Sequence, residues 1–258
     1  MKKNLLILTT TILCLGLSPA FAQFGKAPGG PRFDAAMAKL FGENPAFSAT
    51  LENQIKPESG DTITMPGKMA YDSGKARFEM NMAEAKGLQM PPGAAEQMKA
   101  MGFDQMITLS LPEKKLAYLI YPGLQSYVET PMTAAKDGTN DTFKADVKEV
   151  GKETVDGHPC VQNKVIVTDG KGATNEFTVW NATDLKKFPV KIFHVEQGTE
   201  VTMLFKNVAL TKPAASAFEV PAGYTRYDNM QTMMQTEMMK KMGGGMGGMP
   251  PGGMPPGH

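Results

Sequence analysis

Apolar and polar residues alternate along much of the chain between positions 46 and 227, which is typical of half-buried β-strands. In 75–82, Phe78, Met80 and Met82 fall on one side and charged or polar residues on the other. Short turns separate such segments, so consecutive strands should pair antiparallel. About ten strands are predicted, at 46–55, 62–71, 75–82, 105–111, 116–121, 126–129, 161–167, 177–180, 190–195 and 201–210.

Helical spacing is confined to short segments. Apolar residues recur at helical intervals in 32–42 and 91–101, and 131–136 is a third candidate. Strands and helices do not alternate, which argues against a parallel nucleotide-binding sheet. The predicted fold class is therefore mainly β: an antiparallel sheet curled into an incomplete, half-open barrel, with short helices over the open side. A sandwich would also cover the apolar face.

The first 22 residues predict export. Lys2 and Lys3 precede an apolar run at 5–17, and Ala20 and Ala22 form a small-x-small cleavage site. The run is shorter than the roughly 20 residues of a membrane-spanning helix. We expect cleavage after Ala22 and a periplasmic or secreted protein. Cys160 is then the single mature cysteine, which we expect to be a small buried apolar residue.

The composition gives four segments and removes some classes of partner. They are a signal peptide (1–22), a flexible segment with a short helix (23–45), a β domain (46–227) and a methionine-rich tail (228–258). The whole chain has 27 basic and 26 acidic residues. The near balance favours neither nucleic acid nor an anionic membrane surface as partner. No later apolar run is long enough to span a membrane.

Four motifs in a fixed order resemble a known superfamily. They are K-x-R-F at 75–78, G-x-E-x-x-x-G-x-x-C at 151–160, W-x-x-x-D-L-x-x-F-P at 180–189 and F-x-V-P-x-G-Y at 218–224. Their order is similar to that in the lipoprotein-localisation superfamily of LolA and LolB, and in particular its secreted domains of unknown function. The resemblance covers roughly residues 46–224.

The resemblance implies an incomplete barrel whose hydrophobic cavity takes acyl chains. Arg77 matches an arginine that, in the family's carrier, holds a lid closed by hydrogen bonding. The alternation places Arg77 on the face opposite Phe78. The lining expected from alternate strand residues is Phe78, Met80, Met82, Leu109, Trp180 and Phe205.

No group of residues predicts catalysis. The three histidines, His158, His194 and His258, are scattered, with His158 in a solvated turn and His194 at a half-buried strand position. The chain lacks H-E-x-x-H, G-x-S-x-G, P-loop and C-x-x-C motifs. We therefore predict a protein that is not an enzyme, with no cofactor and no assigned metal site.

Methionine is unusually frequent, with 21 residues, nine of them between positions 230 and 254. Segment 228–242 predicts a helix capped by Asp228, and the segment after it is Gly/Pro/Met-rich. Three interpretations stay open: an adaptable packing helix, a lid over the barrel, or capture of a soft metal such as Cu(I). Ligands for that metal would be Met246, Met249, Met254 and His258. A stripe within the helix comprises Met230, Met234, Met238 and Met242.

The sequence thus predicts a non-catalytic envelope protein that binds an apolar small molecule, a lipid or acyl chain, in the curled sheet. Burial of hydrocarbon would drive binding, at about 0.8 kcal/mol per methylene. Two alternatives stay open. One is copper handling through the methionine-rich tail, and the other is a structural or adaptor role with an envelope protein as partner.

Overall fold

The computed structural model describes residues 35–132, 144–170 and 172–243. Three helices are present there: α1 (Ala35–Leu40), α2 (Ala94–Met101) and α3 (Met230–Gly243). The strands are β1 (Ala46–Lys56), β2 (Ile63–Asp72), β3 (Lys75–Asn81), β4 (Gln105–Leu111), β5 (Leu116–Tyr121), β6 (Ser126–Pro131), β7 (Lys144–Val155), β8 (His158–Thr168), β9 (Thr174–Ala182), β10 (Phe188–Glu196), β11 (Thr199–Ala209) and β12 (Thr225–Tyr227).

All twelve strands belong to one sheet, in the order β12-β6-β5-β4-β3-β2-β1-β11-β10-β9-β8-β7. Neighbours pair antiparallel except β12 and β6, which are parallel. The terminal strands β12 and β7 do not pair with each other in the described part of the chain. The predicted mainly antiparallel, open sheet is therefore confirmed, while the parallel edge pair was not anticipated.

The ten predicted strands are all present, with small changes of bounds, but β7 and β12 were missed. Every side chain from 144 to 150 of β7 is exposed, so no apolar alternation marks this strand. Strand β12 has only three residues. Helices predicted at 32–42 and 91–101 appear as α1 and α2. Of the third candidate, Pro131 belongs to β6, and 133–136 lie outside the described residues.

The strand register defines two faces of the sheet. Phe78 lies opposite Thr108, whereas Arg77 lies opposite Leu109, with no shift between β3 and β4. Directly opposed residues point to the same face, and neighbours along a strand point to opposite faces. Phe78 and Leu109 therefore lie on different faces, called here the Phe78 face and the Leu109 face.

On the Phe78 face, an aromatic cluster forms the main core. The Phe205 ring lies 5.6 Å from Phe41, 6.4 Å from Phe47 and 5.8 Å from Phe188, measured between ring centroids. All four side chains are buried. Phe41 directly follows α1, so this helix closes over the β1, β10 and β11 part of the sheet. Tilted and edge-to-face aromatic pairs are favourable geometries.

A different segment covers the Leu109 face. Residues 213–224, called here the strap, run over strands β3 to β6 and contain a 3-10 turn at Ala215–Phe218. Phe218 is buried and packs with a second core cluster of Ile107, Leu109, Leu111 and Ile120. The Lys75 ammonium lies 5.6 Å above the Phe218 ring. The strap thus supplies the apolar cover that helix α1 supplies on the other face.

Helix α3 docks on the edge of the sheet through Met233 and Glu237, which are both buried. Its N-cap is Asn229, whose Oδ1 accepts from the Thr232 amide at 2.8 Å. The predicted cap, Asp228, is therefore wrong by one residue. Of the predicted stripe, Met230, Met234 and Met238 are half-buried.

Candidate functional site

The six side chains predicted to line one cavity occupy several environments. Phe78 and Phe205 lie in the first core cluster on the Phe78 face, while Leu109 lies on the opposite face. Trp180 also contacts the first cluster, but the register through Lys191 and Leu204 places it on the Leu109 face. Met80 is buried, and Met82 is half-buried in the turn Met82–Glu84. The structure therefore brings Phe78 and Phe205 into the same core and separates Leu109 from them.

Trp180 is held by polar contacts at the β7 to β10 end of the sheet. Its Nε1 donates to Glu153 Oε2 at 2.8 Å. The Lys191 ammonium lies 4.1 Å from the ring centroid, which is a cation–π distance. These contacts explain the tryptophan and glutamate of the two central motifs as groups that fix neighbouring strands.

The remaining motif residues have similar structural roles. His158 Nδ1 lies 2.9 Å from Asp184 Oδ2, so the prediction of a merely solvated histidine is wrong. This contact joins the start of β8 to the turn after β9. Cys160 is a free, buried thiol, as predicted, and burial raises its pKa. A reactive cysteine would need the opposite shift.

An open groove lies on the Leu109 face, between the strap and strands β1, β2, β3 and β11. This strap groove has a volume of about 750 Å³, within the usual range for small-molecule sites. None of the six predicted residues lines it. Its lining is Ser48, Ala49, Thr50, Lys68, Met69, Ala70, Arg77, Glu79, Asn207, Ala214, Ser216, Ala217, Glu219, Val220, Pro221 and Ala222.

Arg77 holds the strap against the sheet at this groove. Its Nη1 donates to the Ala217 carbonyl at 3.1 Å, and its Nε donates to Glu79 Oε1 at 2.7 Å. The Arg77 side chain is only 15% exposed, so its guanidinium is largely shielded from water, while the Glu79 side chain is 37% exposed. The register confirms the prediction that the Arg77 and Phe78 side chains lie on different faces of the sheet.

The polar groups of the strap groove are nearly balanced in charge. Lys68 lies directly opposite Glu79 on the neighbouring strand, and Glu219 contributes a second carboxylate from the strap. The apolar part comes from short side chains such as Ala70, Ala217 and Val220. An apolar chain with a compact polar end fits this lining better than a strongly charged ligand.

A second, smaller groove of about 310 Å³ lies between β1, β7, β10 and β11. Gln54, Glu153, Lys191 and Thr202 are among its lining residues, so it is mainly polar. Because Glu153 and Lys191 already contact Trp180, two of its charged groups are engaged. The strap groove is therefore the better candidate for an apolar ligand.

Asn53 was not singled out by the sequence, although its burial is unusual. It is 1% exposed, and neither polar atom of its side chain has a hydrogen-bond partner among the described residues. Met65 and Met203 lie directly opposite it on the two neighbouring strands. A buried amide among apolar side chains costs about 1–3 kcal/mol when unpaired. The period of two that Phe47 and Leu51 set up also places Asn53 on the buried face, and this is the sequence signal that could have found it.

The metal interpretation concerns residues beyond those described. Met246, Met249, Met254 and His258 all lie outside the described ranges. Within those ranges, no group of three or more His, Cys, Asp and Glu side chains is placed to hold a metal ion. The described helices also include none with the length and apolar character needed to cross a membrane.

Comparison with solved structures gives several likenesses of low sequence identity. A LolA superfamily protein from Nitrosomonas europaea aligns with 6% identity and a TM-score of 0.36, over 71% of this chain and 94% of the other. For the lipoprotein LppX of Mycobacterium tuberculosis the identity is 10%, the TM-score 0.40, and the coverage 72% and 97%. LprF of Mycobacterium bovis aligns with 13% identity and a TM-score of 0.35, over 70% of this chain and 93% of the other. With TM-scores below 0.5, these likenesses transfer no function to this chain.

Comparisons at the level of sequence give one family. A search of curated proteins finds no match. The model of a domain of unknown function, DUF4412, matches residues 58–188, just over half of the chain. The matched segment runs from the turn before β2 to the start of β10. The protein therefore belongs to the DUF4412 family.

Proposed function

We propose that this chain is an exported, non-catalytic protein that binds an apolar molecule, such as a lipid or acyl chain, in the strap groove. The observation that carries the proposal is the groove itself. Its volume of about 750 Å³ suits a small molecule. It lies on the Leu109 face, beside the irregular segment that forms the strap.

The chemistry of the lining supports an elongated ligand with a polar end. Ala70, Ala217 and Val220 give an apolar floor and wall. Burial of a methylene there would contribute about 0.8 kcal/mol. Arg77 would define the polar end, since its guanidinium already donates to the strap carbonyl.

Access to the groove can depend on the strap because few polar contacts hold it. The described strap contacts to β3 are the Arg77–Ala217 hydrogen bond, the Lys75–Phe218 contact and the burial of Phe218. A ligand longer than the groove could displace Ala214 or Ala222 while Phe218 stays anchored. The anchor and the wall of the groove are thus separate parts of one segment.

The test is binding of a fluorescent fatty acid by the protein purified after expression of the full sequence. Thr50 is exposed and lines the groove, so Thr50→Trp should fill part of it and weaken probe binding at least tenfold. Thr174→Trp is the matched control, because Thr174 is also an exposed strand residue but lines neither groove. If both variants bind the probe as well as the unmodified chain does, the strap groove is not the binding site.

The lining predicted from sequence can be tested in the same assay. Met82 is half-buried and lies away from the strap groove, so Met82→Trp should leave binding unchanged if the groove is the site. Weaker binding by Met82→Trp with normal binding by Thr50→Trp would move the site to the Phe78 face. If the protein binds no probe and native mass spectrometry finds no co-purified acyl species, the ligand-binding proposal is wrong.

A further inference from the structure

Strand β7 presents the longer of the two edges of the sheet. It has twelve residues, lies at one end of the strand order and, among the described strands, pairs only with β8. The other edge, β12, has three residues, and helix α3 packs beside it. Proteins commonly shorten or cover edge strands because unpaired N–H and C=O groups recruit other strands. Only one of these two edges is shortened.

Strand β7 carries exposed apolar side chains. In the described chain, four large apolar side chains are exposed, and two of them lie on this strand. Val147 is 63% exposed and Val150 is 51% exposed. Val147 lies directly opposite Val165, which is buried. The apolar surface of β8 therefore continues onto β7 and stops at its open edge.

Two charged side chains of β7, Asp146 and Lys148, have no oppositely charged residue directly opposite them on β8. Lys148 lies directly opposite Lys164, and Lys164 pairs with Glu176 at 2.8 Å. Like charges directly opposed across strands are destabilising. Among the described residues, neither Asp146 nor Lys148 makes an ion pair. An acidic side chain on the open side of Lys148 would relieve this repulsion.

A second copy of the same strand supplies that acidic side chain. If two β7 strands pair antiparallel with Val147 opposite its own equivalent, Asp146 of each copy falls opposite Lys148 of the other. In this register the two side chains of each pair point to the same face of the joined sheet. This is what a twofold axis perpendicular to the sheet requires. The ladder would extend over 144–150 and end at the irregularity between Glu149 and Gly151.

We propose that the open edge of β7 is a homodimer interface, in which two copies join their sheets antiparallel about Val147. Each copy would bury Val147 against its equivalent and form two Asp146–Lys148 pairs with its partner. The ladder itself would satisfy the outward N–H and C=O groups of the edge. A second copy is the occupant because the order Asp146-Val147-Lys148 is complementary to itself in this register. The interface is independent of the strap groove.

Covalent capture tests the register directly. A cysteine at 147 would face its equivalent across the axis, at the Cα separation of about 4.5–5.5 Å that directly opposed antiparallel residues have and that a disulfide requires. Val147→Cys should therefore form a disulfide-linked dimer rapidly under mild oxidation. Val195→Cys is the matched control, since Val195 is 57% exposed on strand β10 and should cross-link slowly. The native Cys160 is buried.

Charge reversal tests the pairing by sedimentation. Asp146→Lys and Lys148→Glu should each weaken dimerisation by about 10- to 100-fold, because each turns both cross-strand pairs into like charges. A mixture of the two variants should dimerise like the unmodified chain, since each cation would then face an anion. Lys114→Glu, in the exposed turn between β4 and β5, makes the same charge change and should leave dimerisation unchanged.

Three outcomes would overturn the proposal. They are an unmodified chain that sediments as a monomer up to its solubility limit, equal cross-linking at 147 and 195, and a mixture of the two charge variants that does not dimerise. Fatty-acid binding is measured separately on the same variants, and we expect it to be unchanged. Loss of probe binding in Thr50→Trp with normal dimerisation would separate the two proposals.

Discussion

The two faces of the sheet are covered in different ways. On the Phe78 face, strand side chains and the residue after α1 form a cluster of phenylalanines in mutual contact. On the Leu109 face, the strap places one large side chain, Phe218, into a cluster of aliphatic residues. A packed cluster of rings fills its own volume, whereas a single anchored segment leaves space beside its anchor. The open volume therefore lies under the strap.

The largest expected effect comes from the aromatic cluster. Phe205→Ala should lower the free energy of unfolding by about 3–5 kcal/mol, because it opens a cavity among fixed rings. Urea denaturation measures this loss. Phe193→Ala is the control, since Phe193 is half-buried on β10 and should cost much less. Equal losses would mean that the cluster is not the main core.

The strap anchor should have a smaller and more local effect. Phe218→Ala should lower the free energy of unfolding by about 2 kcal/mol, below the usual range, because an irregular segment can detach without unfolding the sheet. Amide hydrogen exchange should accelerate in 213–224 and stay slow in β1 and β11. Uniform acceleration across the sheet would contradict the contrast between the two faces.

The stability of helix α3 packed against the sheet edge should depend on pH through Glu237. Burial raises the pKa of this carboxyl, but hydrogen bonds from Lys240, Tyr227 and Ser126 outweigh burial and hold the pKa below its ordinary value. A lowered folded pKa contributes stability above the ordinary glutamate value of about 4.3. That stability is lost as the pH falls through the folded pKa.

Glu237→Gln should therefore cost about 1–2 kcal/mol near neutral pH and remove part of the pH dependence. Thermal unfolding at neutral and acidic pH measures both effects. The exposed Glu96 of α2 provides the control variant, Glu96→Gln. If the stability of Glu237→Gln depends on pH in the same way as that of the unmodified chain, Glu237 is not the source of the pH dependence.

The smallest expected effect is a gain of stability on the Phe78 face. Asn53→Val should raise the free energy of unfolding by about 1 kcal/mol, because it removes a buried amide with no described partner. Val also suits a strand between Met65 and Met203. Chemical denaturation measures the change, and a loss of stability would show that the Asn53 amide is satisfied in solution.

Prediction from the sequence succeeded where one face of a strand is buried. Strands β3 and β4 were found with nearly correct bounds because Phe78, Met80 and Leu109 repeat with a period of two. The same rule missed β7, whose side chains are exposed on both faces. That strand is specified by its hydrogen bonds to β8, which leave no period in the sequence.

The candidate site was less predictable than the fold. The sequence marked Phe78 and Leu109 as apolar strand residues, but it could not assign both to their correct faces. That assignment depends on the register between β3 and β4. The lining of the strap groove combines Thr50 and Lys68 with Ala217, which is far away in the sequence. Small and polar side chains of this kind give no periodic signal.

The sequence alone determined the fold class of this protein, through the period of most strands and their antiparallel order. Only the tertiary structure decided which face each apolar residue buries and which segment covers it. The physical reason is that alternation is a local property of the backbone. The cover of a face is set by contacts between distant segments, such as those of Phe205 with Phe41 and of Phe218 with the Leu109 cluster.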